Sequence, residues 1–219
     1  MPTALPIRTV ISPGRYVQGP GAITRLGEYL APIGSNPLIV ADDVVWGFVG
    51  HDVEASLAGA GLPARREKFN GIPSAIEINR LVAIIEEAGS DVVVAVGGGS
   101  TIDAVKSAGH LAGIRWVTVP SVASTDAPTS ALAVVYTEDG AFEEYRFFPR
   151  NPDLVLVDSQ LIANAPAAFL AAGVGDALAT WLEARATSRS HSNTMAGGLP
   201  TETGTALARL SWDVLWENA

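Results

Sequence analysis

The residues best suited to chemistry form a glycine loop, Gly97-Gly98-Gly99-Ser100, which opens into a helical stretch containing Asp103. Glycine carries no Cβ, so a ligand can approach the main chain closely. The start of the following helix presents unpaired N–H groups and the positive end of the helix dipole, a combination that binds phosphate. A tight turn with nothing bound is the alternative, but three successive glycines exceed what a turn needs. The loop therefore predicts a phosphate site.

Acidic and hydroxyl side chains follow other predicted strands. Asp42 ends an apolar strand, where a carboxylate can accept hydrogen bonds from ribose hydroxyls and repel a 2′-phosphate; a loop acid or a helix cap is the alternative. The segment 120–130 is rich in hydroxyls, and its Asp126 could orient a polyol, although a turn-rich loop has the same composition. Asp176 could cap a helix or bind a metal.

The order of predicted elements indicates how these residues are positioned. The run from Asp91 to Val96 has no polar alternation, which predicts a strand buried on both faces of a parallel sheet. Strands and helices alternate over the first half of the chain, which predicts an α/β fold with a Rossmann-like parallel sheet. Turn residues between 131–136 and 143–148 predict a β-hairpin.

The second part of the chain is predicted to be helical. We place a domain boundary near residue 160, with an α/β nucleotide-binding domain at 1–160 and part of an all-α domain at 161–219. Predicted helices include 52–60 in the first domain and 165–172, 176–187 and 203–218 in the second. The last helix has two apolar stripes, one of which contains Trp212 and Trp216. A helix that is apolar on two sides is normally covered on both. We therefore expect that the chain is cut short and that its natural continuation covers the second stripe.

Composition excludes several classes of protein. The 219 residues carry a formal net charge of −9, and Lys68 and Lys106 are the only lysines, so the basic cluster of a nucleic-acid site is absent. Without cysteine there is no disulfide and no thiolate zinc site. Residues 1–6 lack the charged and apolar regions of a signal peptide, and no apolar stretch is expected to span a bilayer. These features predict a cytoplasmic protein that binds neither nucleic acid nor membrane.

Four segments, 97–106, 119–132, 151–158 and 173–184, are similar to glycerol dehydrogenases of the iron-containing, or group III, alcohol dehydrogenase superfamily. The most specific motifs are Ala-Ser-Thr-Asp-Ala-Pro around Asp126 and Gly-Asp-Ala-Leu-Ala-Thr-Trp around Asp176. The resemblance covers essentially the whole chain. It implies NAD-dependent oxidation of glycerol to dihydroxyacetone, assisted by a divalent metal that is usually zinc.

The resemblance also implies roles for individual residues. Asp126 matches a substrate-contacting acid in the catalytic site, and Asp176 matches the first metal ligand. The matching cofactor-binding residues are Asp42, Gly97, Gly98, Gly99, Ser100, Asp103, Ser121, Ser124, Ser130, Leu132 and Tyr136. Many glycerol dehydrogenases carry lysine at the position of Ser100, whereas serine is common there elsewhere in the superfamily.

The family has two further metal ligands, both histidines, and no histidine of this chain matches them. Family members continue with a longer helical domain. We therefore expect residues 1–219 to bind NAD weakly or not at all and to be inactive alone, and the full-length protein to be a homo-oligomer.

Two other functions remain open. The first is another enzyme of the same fold: a different group III alcohol dehydrogenase, a glycerol-1-phosphate dehydrogenase or a dehydroquinate synthase. A phosphorylated substrate would need basic residues near Asp126 and Asp176, and the local sequence has few. The second is a non-catalytic fragment that retains a nucleotide-binding fold.

Overall fold

The computed structural model describes residues 7–218, so the expectation about residues 1–6 lies outside the described part. Its eight strands are β1 (Tyr16–Gly19), β2 (Pro37–Ala41), β3 (Arg65–Lys68), β4 (Val92–Gly97), β5 (Arg115–Pro120), β6 (Leu132–Tyr136), β7 (Phe142–Phe147) and β8 (Leu154–Asp158). Its helices are α1 (Leu26–Leu30), α2 (Asp43–Gly59), α3 (Ala75–Ala88), α4 (Gly99–Leu111), α5 (Ser159–Ala163), α6 (Ala167–Ser190) and α7 (Glu202–Asn218), with a 3-10 helix at Ala22–Arg25.

Six strands form one parallel sheet in the order β1-β8-β5-β4-β2-β3. Every residue of β4 is buried, because helices cover both faces of the sheet. Val94 and Val96 pack into a cluster with α1 and α2, whereas Val93 and Ala95 pack into a cluster with α3 and α4. The predicted α/β fold with a Rossmann-like parallel sheet is therefore confirmed.

The predicted hairpin is also present. Strands β6 and β7 pair antiparallel, with Leu132 opposite Phe147 and Val134 opposite Tyr145. Ala133 and Val135 of β6 are buried in the cluster with α4. The hairpin is thus fixed beside the helix that follows the glycine loop.

Two predicted helix boundaries are wrong. Helix α2 begins at Asp43, well before residue 52, because the Asp42 side chain caps it by accepting a hydrogen bond from the Val45 N–H at 2.8 Å. The two helices predicted at 165–172 and 176–187 are a single helix, α6, which continues through Gly173 and Gly175. A Cβ on Gly173 would lie 1.9 Å from the carbonyl oxygen of Ala123. This glycine serves close packing rather than helix termination.

Helices α6 and α7 pack against each other and remain largely uncovered by the other described residues. The rings of Trp212 and Trp216 lie 5.9 Å apart, and Trp216 is 64% exposed. The stripe of tryptophans is therefore not buried by residues 7–218. The domain boundary near residue 160 stays a prediction.

The expectation that no segment could span a bilayer needs correction. Helix α6 is long and apolar enough by length and composition, with a mean hydropathy of 1.2 over its most apolar stretch. The same helix contacts the sheet domain through Gly173 and Asp176.

Candidate functional site

A cleft of about 1700 Å³ lies at the carboxyl ends of the parallel strands, bordered on one side by the start of α6. This edge of an open parallel sheet is where ligands of α/β proteins bind. Every site residue predicted from the sequence lines the cleft except Gly97 and Asp176. Gly97 lies directly behind the lining as the last residue of β4, and Asp176 is hydrogen-bonded to the cleft residue Asp126.

The glycine loop leaves main chain bare at the start of α4. Gly98 caps this helix in an extended conformation, and no side chain fills the capping position. A Cβ on Gly97 would lie 2.6 Å from Thr101 Oγ1, so packing requires glycine there. At Gly98 and Gly99 a Cβ would meet its nearest neighbours at 3.6 Å and 3.5 Å, which are ordinary contacts.

Backbone strain does not explain these two glycines either. Gly97, Gly98 and Gly99 are absent from the glycines with positive φ, so any residue could adopt their conformations. Neither packing nor conformation therefore accounts for glycine at positions 98 and 99. A ligand that approaches the N–H groups at the start of α4 does account for it, because a side chain would occupy the same space.

Asp42 is both a helix cap and a cleft residue. Its Oδ1 accepts the Val45 N–H, while Oδ2 has no hydrogen-bond partner within residues 7–218. The helix-cap interpretation is correct, and it leaves one carboxylate oxygen available to a ligand in the cleft. The two interpretations of Asp42 are therefore compatible.

Cap and ligand roles can be separated by replacing Asp42 with asparagine. Asparagine caps helices about as well as aspartate, so we expect Asp42→Asn to leave the unfolding midpoint in urea nearly unchanged. Loss of the negative charge should reduce any discrimination against a 2′-phosphate. Comparison of NAD and NADP affinities by calorimetry measures this effect, and an unchanged affinity ratio would contradict a ribose-binding role for Asp42.

A buried ion pair supports the wall of the cleft. Lys106 is completely buried, and its Nζ lies 3.0 Å from Asp103 Oδ1. The same ammonium donates to the carbonyl oxygen of Ala127 at 2.8 Å, to Ser130 Oγ at 3.2 Å and to the carbonyl oxygen of Leu132. It therefore ties α4 to the loop after β5 and to the start of β6.

Asp103 completes this connection, because its Oδ2 accepts the N–H of Val134 in β6 at 3.1 Å. Burial raises the pKa of the Asp103 carboxyl, an effect that the charge of Lys106 opposes. Burial likewise lowers the pKa of Lys106. Asp103 lines the cleft; its Oδ2 is engaged by Val134, and its Oδ1 lies 3.0 Å from the Lys106 ammonium but has no hydrogen-bond partner within residues 7–218. The cofactor-binding role predicted for Asp103 stays a prediction.

Sequence reasoning assigned no role to Lys106. The available signal was its position three residues after Asp103, on a helix whose other residues, apart from His110, are small or apolar. An i,i+3 pair of opposite charges on such a helix indicates either a surface pair or a buried one. The surrounding Ile102, Ala104 and Val105 favour burial, and all three are fully buried.

The loop after β5 lies beside the glycine loop, since a Cβ on Gly98 or Gly99 would contact its Val122 or Thr125. The Ser121 N–H donates to the carbonyl oxygen of Gly97 at 3.0 Å, which aligns the ends of β4 and β5. Ser124 lies farther along this loop and also borders the cleft. Leu132 and Tyr136 border it from β6. The predicted hydroxyl and apolar contacts are thus distributed around one space.

Asp126 and Asp176 meet at the end of the cleft nearest to α6. The N–H of Asp126 donates to Asp176 Oδ2 at 2.9 Å. Asp126 keeps access to solvent, yet the surrounding walls desolvate its carboxyl enough to raise the pKa, and the charge of Asp176 adds to that effect. The interpretation of Asp176 as a helix N-cap is wrong, because this residue lies inside α6.

The described residues do not complete a metal site. Residues 7–218 contain no group of three or more His, Cys, Asp or Glu side chains placed to hold a metal ion. Catalytic zinc usually has three protein ligands and one open position. Asp176 is only one of the side chains that such a site needs, and its Oδ2 also accepts a hydrogen bond from the Asp126 N–H. Its role as a metal ligand stays a prediction.

Known proteins resemble the chain along most of its length. Glycerol dehydrogenase of Escherichia coli O6:H1 is 48% identical over 210 residues, which are 96% of this chain and 57% of that protein. Glycolaldehyde reductase of Halobacterium salinarum is 42% identical over 207 residues, which are 94% of this chain and 57% of that protein. The chain thus spans little more than half the length of these curated relatives.

Solved structures agree with the observed fold. A probable glycerol dehydrogenase from Sinorhizobium meliloti 1021 superposes with a TM-score of 0.89 at 45% identity, covering 96% of this chain and 58% of that one. Glycerol dehydrogenase from Schizosaccharomyces pombe gives a TM-score of 0.91 at 35% identity, and the match covers 97% of this chain and 54% of that one. The profile of the family described as iron-containing alcohol dehydrogenase matches residues 13–159. These matches confirm the resemblance noted in the sequence, and the chain belongs to the iron-containing alcohol dehydrogenase family.

Proposed function

We propose that the cleft binds NAD and that the whole protein oxidises glycerol, or a closely similar small polyol, by transferring a hydride from the alcohol carbon to the nicotinamide while the hydroxyl proton is released to solvent. The observation that carries this proposal is the pair Gly98 and Gly99, whose bare main chain neither packing nor conformation requires. Close relatives named glycerol dehydrogenase support the choice of substrate. The acidic, cysteine-free composition is in keeping with the cytoplasm.

In this proposal the chain supplies binding and orientation, and NAD supplies the hydride acceptor when bound. The diphosphate lies against the N–H groups at the start of α4, and the free oxygen of Asp42 accepts from the adenosine ribose. Ser121, Ser124, Ser130, Leu132 and Tyr136 surround the remainder of the cofactor. Asp126 accepts hydrogen bonds from the hydroxyls of the polyol and so directs the reacting carbon toward the nicotinamide.

Asp176 positions Asp126 by accepting its main-chain N–H. We also propose that Asp176 contributes one ligand to a divalent metal, zinc being the expected ion. One side chain does not make a catalytic metal site, so no step of the reaction is assigned to a metal.

Binding of the diphosphate against the main chain at Gly98 and Gly99 can be tested with a matched pair of alanine substitutions. We expect Gly99→Ala to fold normally, because its Cβ meets only ordinary contacts, and to gain up to about 1 kcal/mol from reduced freedom of the unfolded chain. The same methyl group would keep a diphosphate away from the main chain. We expect NAD affinity to fall at least about tenfold, which corresponds to about 1.4 kcal/mol.

Gly59→Ala is the control, because a Cβ there meets nothing within 4 Å and the residue lies near the end of α2, outside the cleft. It should show the same small gain in stability with no change in NAD affinity. Amide chemical shifts recorded at millimolar NAD detect even weak binding. Equal NAD affinity in Gly99→Ala and in the unsubstituted chain would refute binding of the diphosphate against the main chain at Gly99.

A further inference from the structure

The outer edge of β7 is unpaired within the described residues, since β6 is the only strand that pairs with it there. Three of its aromatic side chains are more than half exposed: Phe142 at 55%, Tyr145 at 56% and Phe147 at 54%. An edge strand that exposes large apolar side chains is a template for pairing with another strand. The edge therefore has the properties of an interaction surface.

The pairing between β6 and β7 determines which groups face this outer edge. The Phe148 N–H donates to the carbonyl oxygen of Ala131 at 2.8 Å. Hydrogen-bonded pairs alternate along an antiparallel ladder, so Glu144 and Arg146 also bond to β6. The main-chain groups of Tyr145 and Phe147 therefore point outward and are free to bond to a second strand, whereas a β-bulge opposite Val135 and Tyr136 interrupts the alternation before Glu144.

The charges along β7 discriminate among the ways of centring a pair of β7 strands on residues 143 to 146. A two-fold axis perpendicular to the sheet makes two β7 strands antiparallel and centres them on one residue. Centres at Glu143 or Glu144 would place glutamates opposite each other, and a centre at Arg146 would place arginines opposite each other. Like charges directly opposite are destabilising.

A centre at Tyr145 avoids these repulsions. Glu144 of each copy then lies opposite Arg146 of the other, and the two Tyr145 residues form a hydrogen-bonded pair through their outward main-chain groups. Glu144 and Arg146 already form an ion pair within the strand at 2.7 Å, so the four side chains would make one alternating charge cluster. The sequence Phe-Glu-Glu-Tyr-Arg-Phe is self-complementary in this register alone among the four centres from 143 to 146.

We propose that this edge joins two copies of the chain, with β7 paired antiparallel to β7 of the second copy around Tyr145. The contact would extend the two-stranded hairpin into a four-stranded sheet. Strand β6, which places Leu132 and Tyr136 at the cleft, would then be braced from outside. Pairing of the two copies does not depend on the proposed NAD site, so either proposal can fail alone.

Charge reversal tests the register. Glu144→Arg and Arg146→Glu each place like charges across the interface, whereas the double variant restores unlike pairs. We expect the dimer of the unsubstituted chain to weaken at least about tenfold in each single variant and to recover in the double variant, as measured by sedimentation equilibrium. Circular dichroism verifies folding. A monomeric unsubstituted chain, single variants that dimerise normally or a double variant that does not recover would each overturn the proposal.

A cysteine at the centre gives an independent test, because the chain contains no native cysteine. Hydrogen-bonded residues in an antiparallel pair have Cα atoms about 5.5 Å apart, which is within the range of a disulfide. Tyr145→Cys should therefore form a covalent dimer under mild oxidation. Leu111→Cys, at a site 52% exposed at the far end of α4, is the control and should remain monomeric. Equal cross-linking of both variants, or none in Tyr145→Cys, would contradict the pairing.

Discussion

Replacement of Lys106 by methionine is expected to destabilise the protein by about 3–5 kcal/mol, because it leaves the Asp103 carboxylate buried without its partner. The substitution also removes the donor that Ala127, Ser130 and Leu132 share. Typical domains are stable by about 5–15 kcal/mol, so the loss is a large fraction of the total. Urea denaturation followed by circular dichroism measures the change in the free energy of unfolding.

Two further variants distinguish the loss of the buried ion pair from the loss of a lysine charge in general. Asp103→Asn combined with Lys106→Met removes both charges and keeps an acceptor for the Val134 N–H, so it should recover part of the loss. Lys68→Met changes the only other lysine, whose ion pair with Asp43 is exposed, and should have little effect. Equal destabilisation by Lys106→Met and Lys68→Met would contradict a structural role for the buried pair.

The pH dependence of the Lys106→Met variant has a definite sign. Burial already raises the pKa of Asp103 above its ordinary value of 3.8, and loss of the neighbouring ammonium raises it further. The folded state then binds a proton more readily than the unfolded state, so lowering the pH stabilises the folded state. The difference in the free energy of unfolding between Lys106→Met and the unsubstituted chain should therefore become smaller as the pH falls from neutral toward 3.8, the ordinary pKa of aspartate.

Gly173→Ala is expected to separate α6 from the loop that contains Asp126. Its Cβ would lie 1.9 Å from the carbonyl oxygen of Ala123, so the helix or the loop must move. Overpacking of this kind costs about 1–3 kcal/mol. The hydrogen bond from the Asp126 N–H to Asp176 should be lost, and hydrogen exchange at the Asp126 amide should accelerate.

Gly175→Ala provides the matched control on the same helix. A Cβ at this position meets nothing within 4 Å, and alanine favours the helix by up to about 1 kcal/mol over glycine. We expect a small gain in stability and unchanged exchange at the Asp126 amide. If both variants behaved alike, close approach at Gly173 would not be what positions α6.

The sequence predicted best where one local pattern determines the structure. The valine run and glycine loop predicted β4 and the start of α4 closely, because a strand buried on both faces has no polar alternation. The early start of α2 was missed, since Val44 and Phe48 stay exposed at 70% and 76% and disturb the expected apolar face. The continuity of α6 was missed for another reason: Gly173 is required by a contact with Ala123, distant in sequence.

The same distinction applies to the candidate site, where local patterns place some residues and packing between distant segments places others. Residues in the glycine loop and the hydroxyl-rich loop could be brought together by reasoning about strand ends, because carboxyl ends of parallel strands share one edge. The hydrogen bond between Asp126 and Asp176 and the burial of Lys106 depend on how α6 and the β6–β7 hairpin pack. The hydrogen bond has no local signature in the sequence, and for Lys106 the local signal is limited to its spacing from Asp103 and its apolar neighbours on α4.

The central claim is that a dinucleotide binds with its diphosphate on the main chain at the start of α4. A crystal structure of the chain soaked with NAD tests it most directly. We predict diphosphate oxygens within hydrogen-bond distance of the Gly99 and Ser100 N–H groups, with the adenosine ribose beside Asp42. NAD bound elsewhere on the protein, with the start of α4 unoccupied, would contradict the account.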